Sequence, residues 1–139
     1  MKRVFLGTFL LFVLCACNQD KQYPNLFYIK DGYVGWVEVE YNKEGAFPTS
    51  KEGTYNVLWV DENGKAETEE PPPEQGWANN RYYYFAENGD RKELKQSEKI
   101  HGATTTRKNN EEKAIEYFFV GSEKQFEDQK GEYKREGKQ

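Results

Sequence analysis

Alternation of apolar and polar positions organises the chain from Tyr33 onward. Between Tyr33 and Tyr41 the odd positions are Tyr33, Gly35, Val37, Val39 and Tyr41, while Glu38 and Glu40 fall on even ones. A period of two predicts a strand with one face turned inward. Gly32 and Gly35 mark a turn and a bend or bulge at its start. Thr54 to Val60 predicts a second strand in which Tyr55, Val57 and Trp59 share a side. Asp61-Glu62-Asn63-Gly64 follows, and Asn-Gly tolerates the positive φ of a type I′ turn, so a hairpin is expected there. Tyr82 to Phe85 runs into Ala86-Glu87-Asn88-Gly89, with Asp90 to Leu94 as the returning strand. Shared turn chemistry accounts for the echo between these two segments better than duplication does. Ile115 to Val120 predicts a late central strand, and the polar stretch Thr104 to Lys113 before it reads as a loop or a strand-edge excursion.

Helical signals are confined to the end of the chain. Ser122 with Gln125 three residues on matches a capping box, and Phe126 supplies an apolar contact for one short helix reaching about Gln129. Glu69-Glu70-Pro71-Pro72-Pro73-Glu74 is a stiff, extended connection, because successive prolines fix φ and remove donors. Short strands separated by turn signals, without long helices between them, predict an all-β fold. The expected architecture is a two-sheet β-sandwich of about seven strands with one short C-terminal helix.

The first residues follow a different rule. Lys2 and Arg3 precede an apolar stretch from Val4 to Ala16, interrupted only by Gly7 and Thr8. That stretch is shorter than the ~20 residues of a spanning helix and suits the core of an export signal. Leu14-Cys15-Ala16-Cys17 closes it in the manner of a lipobox, with a leucine at minus three and a small residue before the cysteine. The expected division is a signal peptide over residues 1–16, a lipidated tether over 17–22, one β-sandwich domain over 23–130 and a flexible tail over 131–139. Acyl chains, palmitate among them, on Cys17 would hold the domain at the extracytoplasmic face of the cell membrane, since two or more chains are needed for stable anchoring.

Loss of Lys2 and Arg3, with no acid, takes the net charge from −4 to −6. An acidic chain lacks the basic stripe that nucleic acid demands, so no nucleic-acid partner is expected. With Cys15 removed and Cys17 acylated, no thiol remains in the domain, and burial alone must stabilise it. Nineteen of the 22 aromatic residues stay with the mature chain and carry that burial.

Candidate chemistry is sparse. His101 is the sole histidine, which excludes sites that need two imidazoles, and no metal or other cofactor is expected. No glycine-rich phosphate loop follows a strand. Glu38 and Glu40 share a strand face at about 7 Å, a separation open to a glycosidase acid and base, so an envelope hydrolase using paired carboxylates is the alternative to a chain without catalytic residues. Aromatics are the better lead. Trp36, Trp59, Trp77 and the run Tyr82-Tyr83-Tyr84 exceed what one strand face can hide, because adjacent strand residues point to opposite faces. Trp77, Tyr82, Tyr83 and Tyr84 are the candidate binding residues, suited to stacking on an envelope polymer or an envelope protein.

Asp31-Gly32-Tyr33-Val34-Gly35-Trp36-Val37, with Gly76-Trp77, Tyr82 to Phe85, Gly89-Asp90-Arg91 and Phe118 to Gly121, resembles an uncharacterised family of small lipoproteins from Bacillus-type bacteria, a domain of unknown function. Gly-Tyr-Val-Gly-Trp-Val is the most specific part of the likeness. The resemblance implies an envelope location and a single domain. It carries over no catalytic residue. The reading that follows is a membrane-anchored, non-enzymatic binding or structural module of the cell envelope.

Overall fold

The computed structural model describes residues 23–74, 76–107 and 113–131. Cys17, the leader, the tether up to residue 22 and the tail from 132 lie outside the described residues. Two mixed sheets pack as a sandwich. The first has the order β3 (Ser50–Glu52), β4 (Tyr55–Trp59), β1 (Asn25–Lys30), β6 (Arg81–Phe85), β7 (Arg91–Glu93), and the second β5 (Lys65–Glu67), β2 (Gly35–Tyr41), β9 (Ala114–Val120), β8 (Ile100–Arg107). The nine described strands exceed the expected seven.

The additional strands have identifiable sources. β1 reads Asn-Leu-Phe-Tyr-Ile-Lys without alternation because it lies at the centre of its sheet with both faces covered, and it runs parallel to both β4 and β6. Uninterrupted apolar runs are the mark of parallel strands buried on two sides. β8 takes in the polar residues Thr104 to Arg107 as an edge strand, with a register shift between His101 and Thr104. The expected strand-edge excursion is therefore β8 itself.

Asp61 to Gly64 does not close a hairpin. β4 ends in the first sheet, and β5 pairs in parallel with β2 in the second, so the turn carries the chain from one layer to the other. Asp61 Oδ1 accepts the amides of Asn63 and Lys65, both at 2.8 Å, and Gly64 alone takes a positive φ, of 77°. A type I′ turn needs positive φ at both central residues; an aspartate-braced corner does not. The second Asn-Gly does close the expected hairpin, with β6 and β7 antiparallel around Ala86 to Asp90, although there too only the glycine, Gly89, takes a positive φ.

Alternation places Val37, Val39 and Tyr41 of β2 inward, against Phe27, Ile29, Leu58, Tyr82 and Phe118. Phe27 stacks on Tyr82 at 5.2 Å, and Phe118 meets the edges of both rings at 5.1 and 5.0 Å, the arrangement that favours aromatic quadrupoles. Helix α2 (Glu123–Gln129) starts at the predicted capping box, with Gln125 N donating to Ser122 Oγ and Ser122 N donating to Gln125 Oε1. Its Phe126 covers the outer face of the second sheet at Trp36 and Phe119. A single-turn helix, α1 (Gln96–Lys99), and a 3-10 turn, Gly76–Asn79, complete the described elements.

Candidate functional site

The outer face of the first sheet carries an aromatic patch. On β4 the residues Tyr55, Val57 and Trp59 point outward, on β1 Leu26 and Tyr28, and on β6 Tyr83 and Phe85. Tyr28 lies 4.6 Å from the Trp59 ring, 5.3 Å from Phe85 and 6.1 Å from Tyr83, and Trp59 meets Phe85 edge-on at 4.9 Å. Trp59 is 55% exposed, whereas Tyr28 is buried beneath its neighbours.

Charges frame this patch. Glu52 of β3 and Arg91 of β7 come from opposite edges of the sheet, yet they meet at 2.7 Å across its outer face. Tyr28 Oη donates to Glu52 Oε2 at 2.7 Å and accepts from Arg91. Burial and the facing Glu52 carboxylate hold the Tyr28 phenol above its ordinary pKa, while Arg91 and Tyr28 hold Glu52 below the usual carboxylate range. Arg81 is forked onto Glu93 Oε1, at 3.1 and 2.7 Å, and both arginines lie over the Tyr83 ring, at 5.3 and 5.5 Å. The guanidinium groups thus bracket an aromatic face.

Beside Trp59 a groove of about 610 Å³ opens between β4 and β5, bordered by Phe47, Thr49, Asp61, Lys65 and Glu67. Phe47 stands 92% exposed at its rim. Two large apolar rings in water on either side of a groove leave transferable surface for a ligand, because stacking removes area from water at roughly 25 cal/mol per Å².

The candidates drawn from the sequence separate in space. Tyr82 is fully buried and stacked on Phe27. Its assignment to a binding surface is corrected on that ground: even positions of β6 face the core. Tyr84 points the same way and donates its hydroxyl to Tyr33 O at 2.6 Å. Tyr83 belongs to the outer patch, and Trp77 stands on the 3-10 turn, 40% exposed. Sequence reasoning does not single out Trp59, Tyr28, Phe85 or Phe47 as binding residues. The shared side of Tyr55, Val57 and Trp59 is the available signal, but only the pairing of β4 with an apolar β1 identifies that side as the outer one.

Glu38 and Glu40 lie on the outer face of the second sheet, away from the aromatic patch of the first. Glu38 is paired to Lys65 at 2.8 Å and Glu40 to Lys43 at 3.0 Å. Among the described residues no group of three or more His, Cys, Asp or Glu side chains could hold a metal ion, and no helix is long and apolar enough to cross a membrane.

A second polar constellation lies inside the sandwich. Tyr41 Oη donates to Glu116 Oε2 at 2.6 Å, Asn80 Nδ2 to Glu116 Oε1 at 3.3 Å, Asn25 Nδ2 to Tyr41 Oη at 2.7 Å, and Asn25 N to Asn80 Oδ1 at 2.8 Å. These four buried residues form a closed ring that joins β1 and the approach to β6 in one sheet to β2 and β9 in the other. Burial pushes the Glu116 carboxyl up to about 7, against the opposing pull of its donors Tyr41 and Asn80. Burial and the nearby Glu116 also push the phenols of Tyr41 and Tyr82 upward. All four members are buried, Glu116 fully, and the ring ties the two layers together.

A family described as of unknown function, DUF6843, matches residues 21–130. The crystal structure of a candidate lipoprotein from Bacillus anthracis superposes with a TM-score of 0.62 at 24% identity, covering 84% of each chain. That likeness supports the two-sheet fold. No curated protein matches the chain.

Proposed function

For a chain that belongs to the DUF6843 family of unknown function, we propose the work of a lipid-anchored, extracytoplasmic binding module without catalytic chemistry. Cys17 is the acylated residue in this reading. The ligand, an envelope polymer or protein, lies on the outer face of the first sheet and runs into the groove between β4 and β5. One observation carries the proposal: Trp59 is 55% exposed at the junction of the Tyr28–Phe85 patch and a groove rimmed by Phe47. Large rings left in water beside a groove, Trp59 with Phe47, are surface kept for a partner. Flat faces of Trp, Tyr and Phe stack on sugar rings or peptide side chains, and Arg81 and Arg91 can orient polar substituents at the edge.

The test is binding of the purified protein to peptidoglycan, wall polymers, oligosaccharides and envelope proteins. Trp59→Ala is expected to weaken the wild-type interaction at least tenfold, equivalent to about 1.4 kcal/mol, with the fold intact. Absence of binding to every one of these ligands, or equal binding by Trp59→Ala, would refute the proposal.

A further inference from the structure

Trp77 and the start of β1 share one end of the sandwich. Asn25 N donates to Asn80 Oδ1 at 2.8 Å, and Asn80 N donates to Trp77 O at 3.0 Å, so the 3-10 turn is tied directly to the first residue of β1. Pro24 O accepts from Asn56 N at 3.0 Å, and Lys51 Nζ sits 4.2 Å from the centre of the Tyr23 ring. Tyr23 and Lys51 on the β4 side of β1, and the turn that carries Trp77 on its β6 side, therefore stand at the end where the preceding chain joins the fold. β4 and β6 run parallel to β1, and their far ends carry Trp59 and Phe85. The six residues of β1 put the aromatic patch's outer end roughly 17 Å away, at about 3.3 Å per step.

We propose that this end is a membrane-contact surface, in which Trp77, with Tyr23 and Lys51 at the same end of the sheet, rests in the interfacial layer of the bilayer to which Cys17 is anchored. The inference rests on the tether proposed above. Five residues, Asn18 to Gln22, separate Cys17 from Tyr23. At about 3.5 Å each they hold this end within roughly 20 Å of the acylated sulfur, so a hydrophobic ring here is confined beside lipid. Trp and Tyr concentrate at membrane–water interfaces because an apolar body and a polar tip suit that layer, and a lysine stem beside them can lie along the same boundary. Trp77 is 40% exposed on a turn whose backbone is fixed by Asn80 and by Gln96 Nε2, which donates to Trp77 O at 3.3 Å. The ring is presented on a fixed support, and it fills no part of the sandwich core. Glu74, exposed just before the 3-10 turn, opposes the charge of Lys51, so contact depends on the indole and not on a basic cluster. With Trp77 down, the Trp59 and Phe85 end of the patch stands roughly 17 Å farther from the lipid, where a ligand can reach it.

The acylated full-length protein, reconstituted in phosphatidylcholine vesicles whose acyl chains are brominated near the headgroup, tests this. Bromine quenches only indoles at lipid depth. Flotation with the vesicles and partial quenching of tryptophan emission are expected for wild type and for Trp59→Phe, and loss of that quenching for Trp77→Phe. Adding phosphatidylglycerol should leave the quenching unchanged. Flotation without quenching, or equal quenching in Trp77→Phe, would overturn the membrane contact and leave the tether standing. Failure to float would remove both. Trp36 is packed under α2 against Phe119 and Phe126, 5.6 and 5.9 Å away, and contributes no lipid-exposed signal.

Discussion

Replacing Glu116 with glutamine should make the protein more stable at alkaline pH and flatten its pH dependence. Glu116 is fully covered, and its carboxyl titrates near 7 in the folded chain against 4.5 for an unconstrained glutamate. The folded state therefore binds the proton more tightly than the unfolded state. Below about pH 4.5 both states are protonated and the contribution to stability is complete. As pH rises toward 7 the unfolded chain releases its proton first, and stability falls. Above the folded value the loss levels off. With each tenfold difference in proton affinity worth about 1.4 kcal/mol, the full loss is about 3 kcal/mol. Glutamine cannot ionise, so this loss disappears. Its amide is a poorer fit than the carboxyl hydroxyl or carboxylate it replaces beside Tyr41 and Asn80, which costs about 1 kcal/mol. The expected difference is a variant slightly weaker than wild type at pH 4.5 and about 2 kcal/mol stronger at pH 8. Urea unfolding of both proteins across this range, followed by tryptophan emission, measures it. Parallel stability curves for the two proteins would show that Glu116 does not carry the buried proton and would refute the reasoning.

Two further substitutions address the frame around the site. A Cβ built on Gly64 would lie 2.2 Å from Tyr33 Oη and 2.4 Å from the Trp36 carbonyl, on a residue with φ of 77°; Gly64→Ala should cost about 2 kcal/mol or more, on the order expected for a strained and overpacked position, measured by thermal unfolding. Phe126→Ala should detach α2 from Trp36 and Phe119 at a cost of about 2 kcal/mol, below the range for a fully buried ring, with a red shift of Trp36 emission as its signature.

Elements with strong alternation or a side-chain signature are legible in the chain itself. β2 reads directly from Val37, Val39 and Tyr41 against Glu38 and Glu40, and α2 from Ser122 and Gln125. Local sequence is ambiguous where pairing decides the outcome. Asp61 to Gly64 has the residues of a hairpin turn, but whether β5 returns along β4 or crosses to β2 depends on where Ala66 can be buried, and that position lies in the other sheet. β1 lacks a period because both its faces are covered. The proposed binding surface is hidden for a related reason. Alternation tells which tyrosines of the Tyr82 to Tyr84 run share a face but not which face is inward; the stacking of Tyr82 on Phe27 settles that, and it sends Tyr83 out. The Glu116 ring leaves no local trace, since its four members are separated by as many as 91 positions in the chain, from Asn25 to Glu116. The aromatic surplus does reach the surface, at Phe47, Trp59 and Trp77, and not at Tyr82.

β1 takes its neighbours from residues 55–59 and 81–85, so the central strand has no partner until the chain reaches β4 and lacks its second until the chain reaches β6. Sheets that depend on such distant partners form slowly, because chain entropy is lost before the contacts compensate for it. For a precursor that would cross a membrane extended, as the proposed export requires, such slowness would be useful, because a strand that waits for distant partners would pair only after passage.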